Sequence, residues 1–187
     1  MGDRVLVTKG TALEGTAILA HDFVDVARRL GLSEEELEKG RRVMAEVSIV
    51  SEALALAGNG VTAMHDVTRG GILETLLEIA HLSKVGIEVE FSKLPIPSIV
   101  SRFAQAFRFD PLQMISSGTL AVTVSPERVE GVTKALEKLG THFSFVGQVR
   151  EGIGVRVLKD GATIHHTEIR CEEDELARMW ALYPREG

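Results

Sequence analysis

His65-Asp66-Val67-Thr68-Arg69-Gly70-Gly71-Ile72-Leu73 joins an apolar run, Gly60-Val61-Thr62-Ala63-Met64, to a helix-patterned segment, Leu73-Glu74-Thr75-Leu76-Leu77-Glu78-Ile79-Ala80. A strand that passes through a polar, glycine-containing turn into a helix is a recurrent way to build an anion site. The turn gathers backbone N–H groups, and the helix N-terminus adds a partial positive charge. Adjacent glycines let the backbone approach a ligand with no Cβ in the way. Asp66 and Thr68 have two roles open to them, capping the helix or holding a metal and a phosphate oxygen. Arg69 can fork onto a phosphate or carboxylate, or pair on the surface with Glu74 or Glu78. His65, at the strand end, reads as a packed or hydrogen-bonded residue rather than a catalyst.

The pattern on either side is an alternation of short strands and helices. Strands are expected at 4–8, 61–64, 85–91 and 120–124, the last two bounded by turn residues. Lys9-Gly10-Thr11-Ala12-Leu13-Glu14-Gly15-Thr16 reads as a polar turn leading into Ala17-Ile18-Leu19-Ala20. Ser33-Glu34-Glu35-Glu36 starts a helix that runs through Leu37, Val43 and Val47, with a second segment over 49–57 and a stop at Gly58-Asn59-Gly60. Further helices are predicted over 72–82, over 99–107, from Pro126 to Leu139, and from near Glu172 past Trp180. Residues 142–149 and 153–158 look like a hairpin around Arg150-Glu151-Gly152. The order implies one domain of α+β class, a mixed sheet with helices packed on it.

Composition excludes several classes. The 187 residues carry a net charge of -6, with 44% hydrophobic and 26% charged residues, an ordinary globular balance without the basic surface that nucleic acid requires. No run approaches the length of a membrane span, and Met1-Gly2-Asp3-Arg4 is not a signal peptide. A cytoplasmic protein with no membrane partner is the reading. The single cysteine, Cys171, stands beside Glu172, Glu173 and Asp174, which disfavour a thiolate, so a structural or incidental role is expected. The adjacent pair His165-His166 would point to opposite faces of a strand and does not read as a metal pair. Glu34-Glu35-Glu36 and Glu172-Glu173-Asp174 read as first turns of helices.

Three motifs in order carry a family resemblance: Gly2-Asp3-Arg4-Val5-Leu6-Val7-Thr8, Asp66-Val67-Thr68-Arg69-Gly70-Gly71-Ile72 and Ser116-Ser117-Gly118-Thr119-Leu120. Together they resemble the C-terminal domain of the aminoimidazole-ribonucleotide (AIR) synthase, or PurM-like, superfamily. The Asp-x-Thr-Arg-Gly-Gly form is most similar to its HypE hydrogenase-maturation branch. The resemblance covers the chain from Gly2 to about His166. It implies a three-layer α/β/α domain with a mixed sheet, partly like a ferredoxin fold, that closes one side of a cleft for ATP-dependent chemistry with Mg2+. In that family a companion N-terminal domain supplies most metal ligands and nucleotide contacts. The expectation is therefore a lone C-terminal domain over 1–187, inactive by itself, working with an N-terminal ATP-binding domain in cis or in trans; a homo-oligomer stays open.

By that resemblance the ligand- or phosphate-binding set comprises Asp66, Thr68, Arg69, Gly70, Gly71, Ser116, Ser117, Gly118 and Lys9, with Asp66 as the metal candidate. Lys9 would neutralise phosphate charge, although a solvated lysine is the commoner outcome. No nucleophile, base and orienting group can be assembled, so no catalytic residue is assigned. The branch's terminal cysteine is not matched, because the chain ends Tyr183-Pro184-Arg185-Glu186-Gly187, and a self-modified carrier thiol is not expected. Two other readings stand beside this one: a non-catalytic binding or assembly module that keeps the fold, and a small-molecule kinase resembling the thiamine-monophosphate enzyme.

Overall fold

The strand β1 (Arg4–Thr8) is buried along almost its whole length, and the rest of the molecule is arranged on both of its faces. The computed structural model describes residues 1–169 and 174–184. It contains a seven-stranded mixed sheet in the order β2-β4-β1-β5-β3-β6-β7. The other strands are β2 (Val61–Asp66), β3 (Gly86–Glu90), β4 (Leu120–Val124), β5 (Phe143–Arg150), β6 (Gly154–Lys159) and β7 (Ala162–His166). All neighbours are antiparallel except β3 and β6, which run parallel.

Helix α5 (Gly71–Ser83) carries the chain from β2 to β3, and α7 (Val129–Leu139) carries it from β4 to β5. Both crossovers travel the same way along the sheet, but they join strands of opposite polarity. A right-handed path for each therefore puts the two helices on opposite faces. The cores follow that division. Ile72, Leu76 and Ile79 of α5 pack on Val5, Val7, Ile87 and Val89, while Val132 and Leu136 of α7 pack with Leu6, Val122 and Val124. The helix α4 (Val50–Ala57) joins α7 on its face through Leu56.

A third cluster is made without strands. It joins α1 (Leu13–Asp22), α2 (Val24–Arg29), α3 (Glu34–Arg42), α6 (Ser98–Phe107) and α8 (Glu175–Leu182) around Phe103, Phe107, Leu37 and Met179. The capping box at α3 forms, with Ser33 Oγ accepting from the Glu36 amide and Glu36 Oε2 from the Ser33 amide. That backbone hydrogen bond holds the Glu36 carboxyl below its usual range.

Several boundaries differ from the sequence expectation. Helix α1 begins at Leu13, inside the stretch read as a turn, because Ala12 takes a left-handed conformation and delivers the chain directly into the helix. Helix α3 ends at Arg42, and Val43–Glu46 tightens into a 3-10 turn instead of continuing. Pro126 opens a 3-10 turn, Pro126–Arg128, and α7 follows. The anticipated hairpin does not form: β3 lies between β5 and β6, so the 150–154 turn arches over one strand. The true hairpin is β6–β7, whose turn Asp160-Gly161 has positive φ at both residues (50° and 78°), the geometry of a tight two-residue connection. The helix start near Glu172 falls partly outside the described residues, as do Cys171, Glu173 and the terminal 185–187 segment.

Phe103 is fully buried and stacks on Phe107, with ring centroids 6.1 Å apart. Replacing it with Ala should cost about 3–5 kcal/mol in urea denaturation. Val50→Ala, at a side chain 59% exposed, should stay within about 0.5 kcal/mol of wild type.

Candidate functional site

The three sequence motifs meet at one end of the sheet. Strands β1 and β2 finish there and β4, antiparallel to both, starts there, with Asp66 opposite Leu120. Side chains and main chain knit the turns together. Leu120 N–H donates to Thr8 Oγ1 at 3.0 Å, Val67 N–H to the Thr119 carbonyl at 2.9 Å, and the Thr119 hydroxyl to the Gly10 carbonyl. Ser116 Oγ lies 2.6 Å from Thr119 Oγ1, and Ser117 N–H reaches Glu14 Oε2 at 3.3 Å. Ser116, Gly118, Thr119, Gly10 and Thr11 are all buried. A Cβ on Gly118 would run into the backbone of Glu46 and Val47, so this turn is sealed by the segment ahead of α4.

Lys9 is not solvated, contrary to the commoner expectation for a lysine. Its ammonium donates to the carbonyls of Glu46 (2.8 Å) and Ser48 and sits 3.3 Å from Glu52 Oε1. The two charged side chains are only 10% and 9% exposed, and Glu52 Oε1 also accepts from Thr141 Oγ1 at 3.4 Å. With three acceptors around its three protons, Lys9 is committed to the fold rather than aimed at a ligand.

At the head of α5 the residue in the cap position is Gly70, left-handed at φ 74°, which has no side chain of its own to cap with. The capping role weighed for Asp66 and Thr68 is therefore not taken by their side chains; the Thr68 carbonyl accepts from Gly71 N–H at 3.2 Å. Gly71 also has positive φ, and a Cβ there would strike the carbonyls of Leu112 and Met114. The Leu112 carbonyl takes the Leu73 N–H at 3.0 Å. The Gly70 N–H goes to Asp174 Oδ2, 2.9 Å away and 104 positions along the chain. Asp174 Oδ1 meanwhile accepts from Leu176 and Ala177 N–H at 2.9 and 3.1 Å, capping α8. One carboxylate, 4% exposed, thus closes the positive ends of two helices.

Asp66, Thr68 and Arg69 remain exposed on the same rim. His65 stands between two carboxylates, with Nε2 3.3 Å from Glu78 Oε2 and Nδ1 3.5 Å from Asp66 Oδ1, and Nδ1 also contacts the Asp66 carbonyl at 2.6 Å. It is hydrogen-bonded at the strand end, and Glu78 is engaged there. His165 and His166 lie on the edge strand β7, where His165 Nε2 meets the Ile153 carbonyl at 2.9 Å. Among the described residues no group of three His, Cys, Asp or Glu side chains is placed to hold a metal. Among the described residues Asp66 is an exposed carboxylate on this rim that would hold a Mg2+ ion, with the sparse protein ligation common for that ion. A pocket of about 300 Å³ adjoins the head of α5, lined by Gly70, Glu74, Gln113, His166 and Glu168 among others. Among the described residues no helix is long and apolar enough to cross a membrane.

Sequence reasoning placed the three turns but missed the groups that close them. Asp174 carried a local signal, as an acidic residue ahead of a helix, with nothing to tie it to Gly70. Glu52 and Glu78 sit inside helices and read as ordinary surface acids.

This arrangement defines a class. The family model for the C-terminal domain of AIR synthase related proteins matches residues 1–160, and the chain belongs to that family. Carbamoyl dehydratase HypE from Rhizobium leguminosarum bv. viciae is 27% identical over 154 residues, covering 79% of this chain and 41% of that protein. The crystal structure of E. coli HypE superposes with a TM-score of 0.73 at 28% identity, over 88% of this chain and 49% of that one. A hydrogenase maturation protein HypE solved in complex with ATP shares the fold, with a TM-score of 0.62 at 21% identity over 91% of this chain and 52% of that one. The chain spans about half the length of these relatives or less.

The buried Lys9–Glu52 pair gives an asymmetric prediction. Removing one partner, as in Glu52→Ala, should destabilise by about 3–5 kcal/mol, because the other charge is left buried and unpaired. The double variant Lys9→Met/Glu52→Leu should recover a substantial part of that loss in the same urea titration.

Proposed function

We propose that this domain contributes the phosphate contacts of an ATP-dependent, HypE-like enzyme, in a cleft completed by an N-terminal ATP-binding domain in cis or in trans. The observation that carries the reading is the convergence of the 9–10, 66–71 and 116–119 turns at one sheet end, in a family with a member solved with ATP. The ligand-facing roles fall to the exposed rim. Arg69 offsets phosphate charge through a forked guanidinium, Thr68 supplies a hydroxyl, and Asp66 would hold a Mg2+ ion, which would supply charge neutralisation beside the phosphate. Lys9, Ser116 and Gly118 act behind them by fixing the turns. The rim provides positioning and electrostatic stabilisation, which is most of what phosphoryl transfer asks of a protein.

The burial of Lys9 and Ser116 favours the second reading, an assembly module that keeps the fold without the chemistry. Calorimetry with ATP and Mg2+ separates the two. On the first reading the chain alone binds ATP more weakly than micromolar, and Arg69→Ala weakens that binding roughly tenfold, the loss of a charge-assisted contact. Indifference of the binding to Arg69→Ala, or no ATP binding even with a companion N-terminal domain, favours the module. Tight, Mg2+-dependent binding by the chain alone would overturn the need for a companion.

A further inference from the structure

We propose that Asp174 is an internal stand-in for the anionic ligand at the head of α5, and that α8 is a strap the ligand displaces. The inference rests on the reading of this rim as a phosphate site. The Gly70 N–H is a backbone donor at the start of α5, and a carboxylate oxygen already occupies it at 2.9 Å. A phosphate oxygen would need the same donor and the same helix-terminal charge. The competitor belongs to a segment that lies past residues 1–160, the part the family model matches.

The strap is built to come off as a unit. Helix α8 is eight residues long, too short to be stable away from the body of the protein. Its hold comes from Met179, from Trp180 against Phe23 at a 4.4 Å centroid distance, and from Tyr183 edge-on to Phe107 at 6.0 Å. Polar ties add to it, with Asp110 N–H on Glu175 Oε1 and Arg178 on the Arg108 carbonyl. Asp174 couples the strap to the site, because one oxygen starts α8 and the other fills the Gly70 seat. While the strap is docked the seat is closed, so the apparent affinity for an anion is scaled down by the fraction of molecules with the strap released.

Trp180 is the only tryptophan of the chain, and its emission therefore reports the docking of α8. The experiment titrates the full chain with ATP and Mg2+, following heat and Trp180 fluorescence in wild type, Asp174→Asn, Arg69→Ala and the double variant. Asparagine still caps α8 but removes the charge from the Gly70 seat, so the fold is kept. The expected result is ATP binding at least about tenfold tighter in Asp174→Asn, with Arg69→Ala cancelling the gain and with a red shift of Trp180 on ATP saturation of the wild type. Unchanged affinity in Asp174→Asn, with wild-type binding still sensitive to Arg69→Ala, overturns the strap and leaves the phosphate site standing. Wild-type binding with Trp180 unmoved does the same. Absence of ATP binding in wild type and in Asp174→Asn alike, with a companion N-terminal domain added as well as without it, overturns both.

Discussion

Strand β1 has no solvent face, and that single constraint organises the molecule. Val5 and Val7 look into one core and Leu6 into the other, so the sheet must be covered on both sides. Because β1 pairs antiparallel with both β4 and β5, the β4–α7–β5 crossover has to stride over it. The β2–α5–β3 crossover strides over all three. Right-handed connections then leave α5 and α7 nowhere to go but opposite faces. Three layers follow from one buried strand and one rule of chirality.

The same strand order decides where the polar turns collect. Strands β1 and β2 end where β4 begins, so the loops after Thr8, after Asp66 and before Leu120 share one rim. Such a rim concentrates backbone donors and acceptors that have left the sheet ladder and must be satisfied. Here the protein satisfies most of them itself. Threonine hydroxyls bridge the first and third turns, the Leu112 carbonyl and Asp174 carboxylate close the head of α5, and Lys9 binds two carbonyls and Glu52. What faces outward is the short stretch around Asp66, Thr68 and Arg69.

Most of the elements were legible because their signals are local. Periodicity located β1, β3, β4 and α5, the break at Pro95 and Pro97 located α6, and the Ser33 N-cap with its acidic first turn located α3. The failures are of two kinds. The Asp160-Gly161 turn is a readable hairpin signal, and it competes with the apparent 142–158 pair, which β3 divides. No local pattern announces that a strand from sixty residues earlier will insert there. The site divides along the same line. The family motif leads to the rim where the three turns meet, and burial separates its members: Lys9 and Ser116 lie inside, while Arg69 is exposed. Asp174, which touches Gly70 from 104 residues away, could not be seen from the motif at all.

Gly70 and Gly71 show why the motif by itself could not settle chemistry. Both hold positive φ, and a Cβ on either would overlap a group already in place, Glu74 for the first and the Leu112 carbonyl for the second. A left-handed backbone costs a non-glycine residue about 1–3 kcal/mol before any overlap is counted. A charge-assisted hydrogen bond to an anion is worth about 1.5–3 kcal/mol. Packing alone thus demands both glycines as strongly as a ligand would, so their presence is compatible with a site that binds phosphate and with one that has stopped doing so. The discriminating groups are those that packing does not require. Arg69 keeps its side chain exposed on the rim, and a well-capped α8 has no use for a second oxygen on Gly70. Arg69 and Asp174, rather than the glycines between them, are therefore the positions at which substitution separates the two readings.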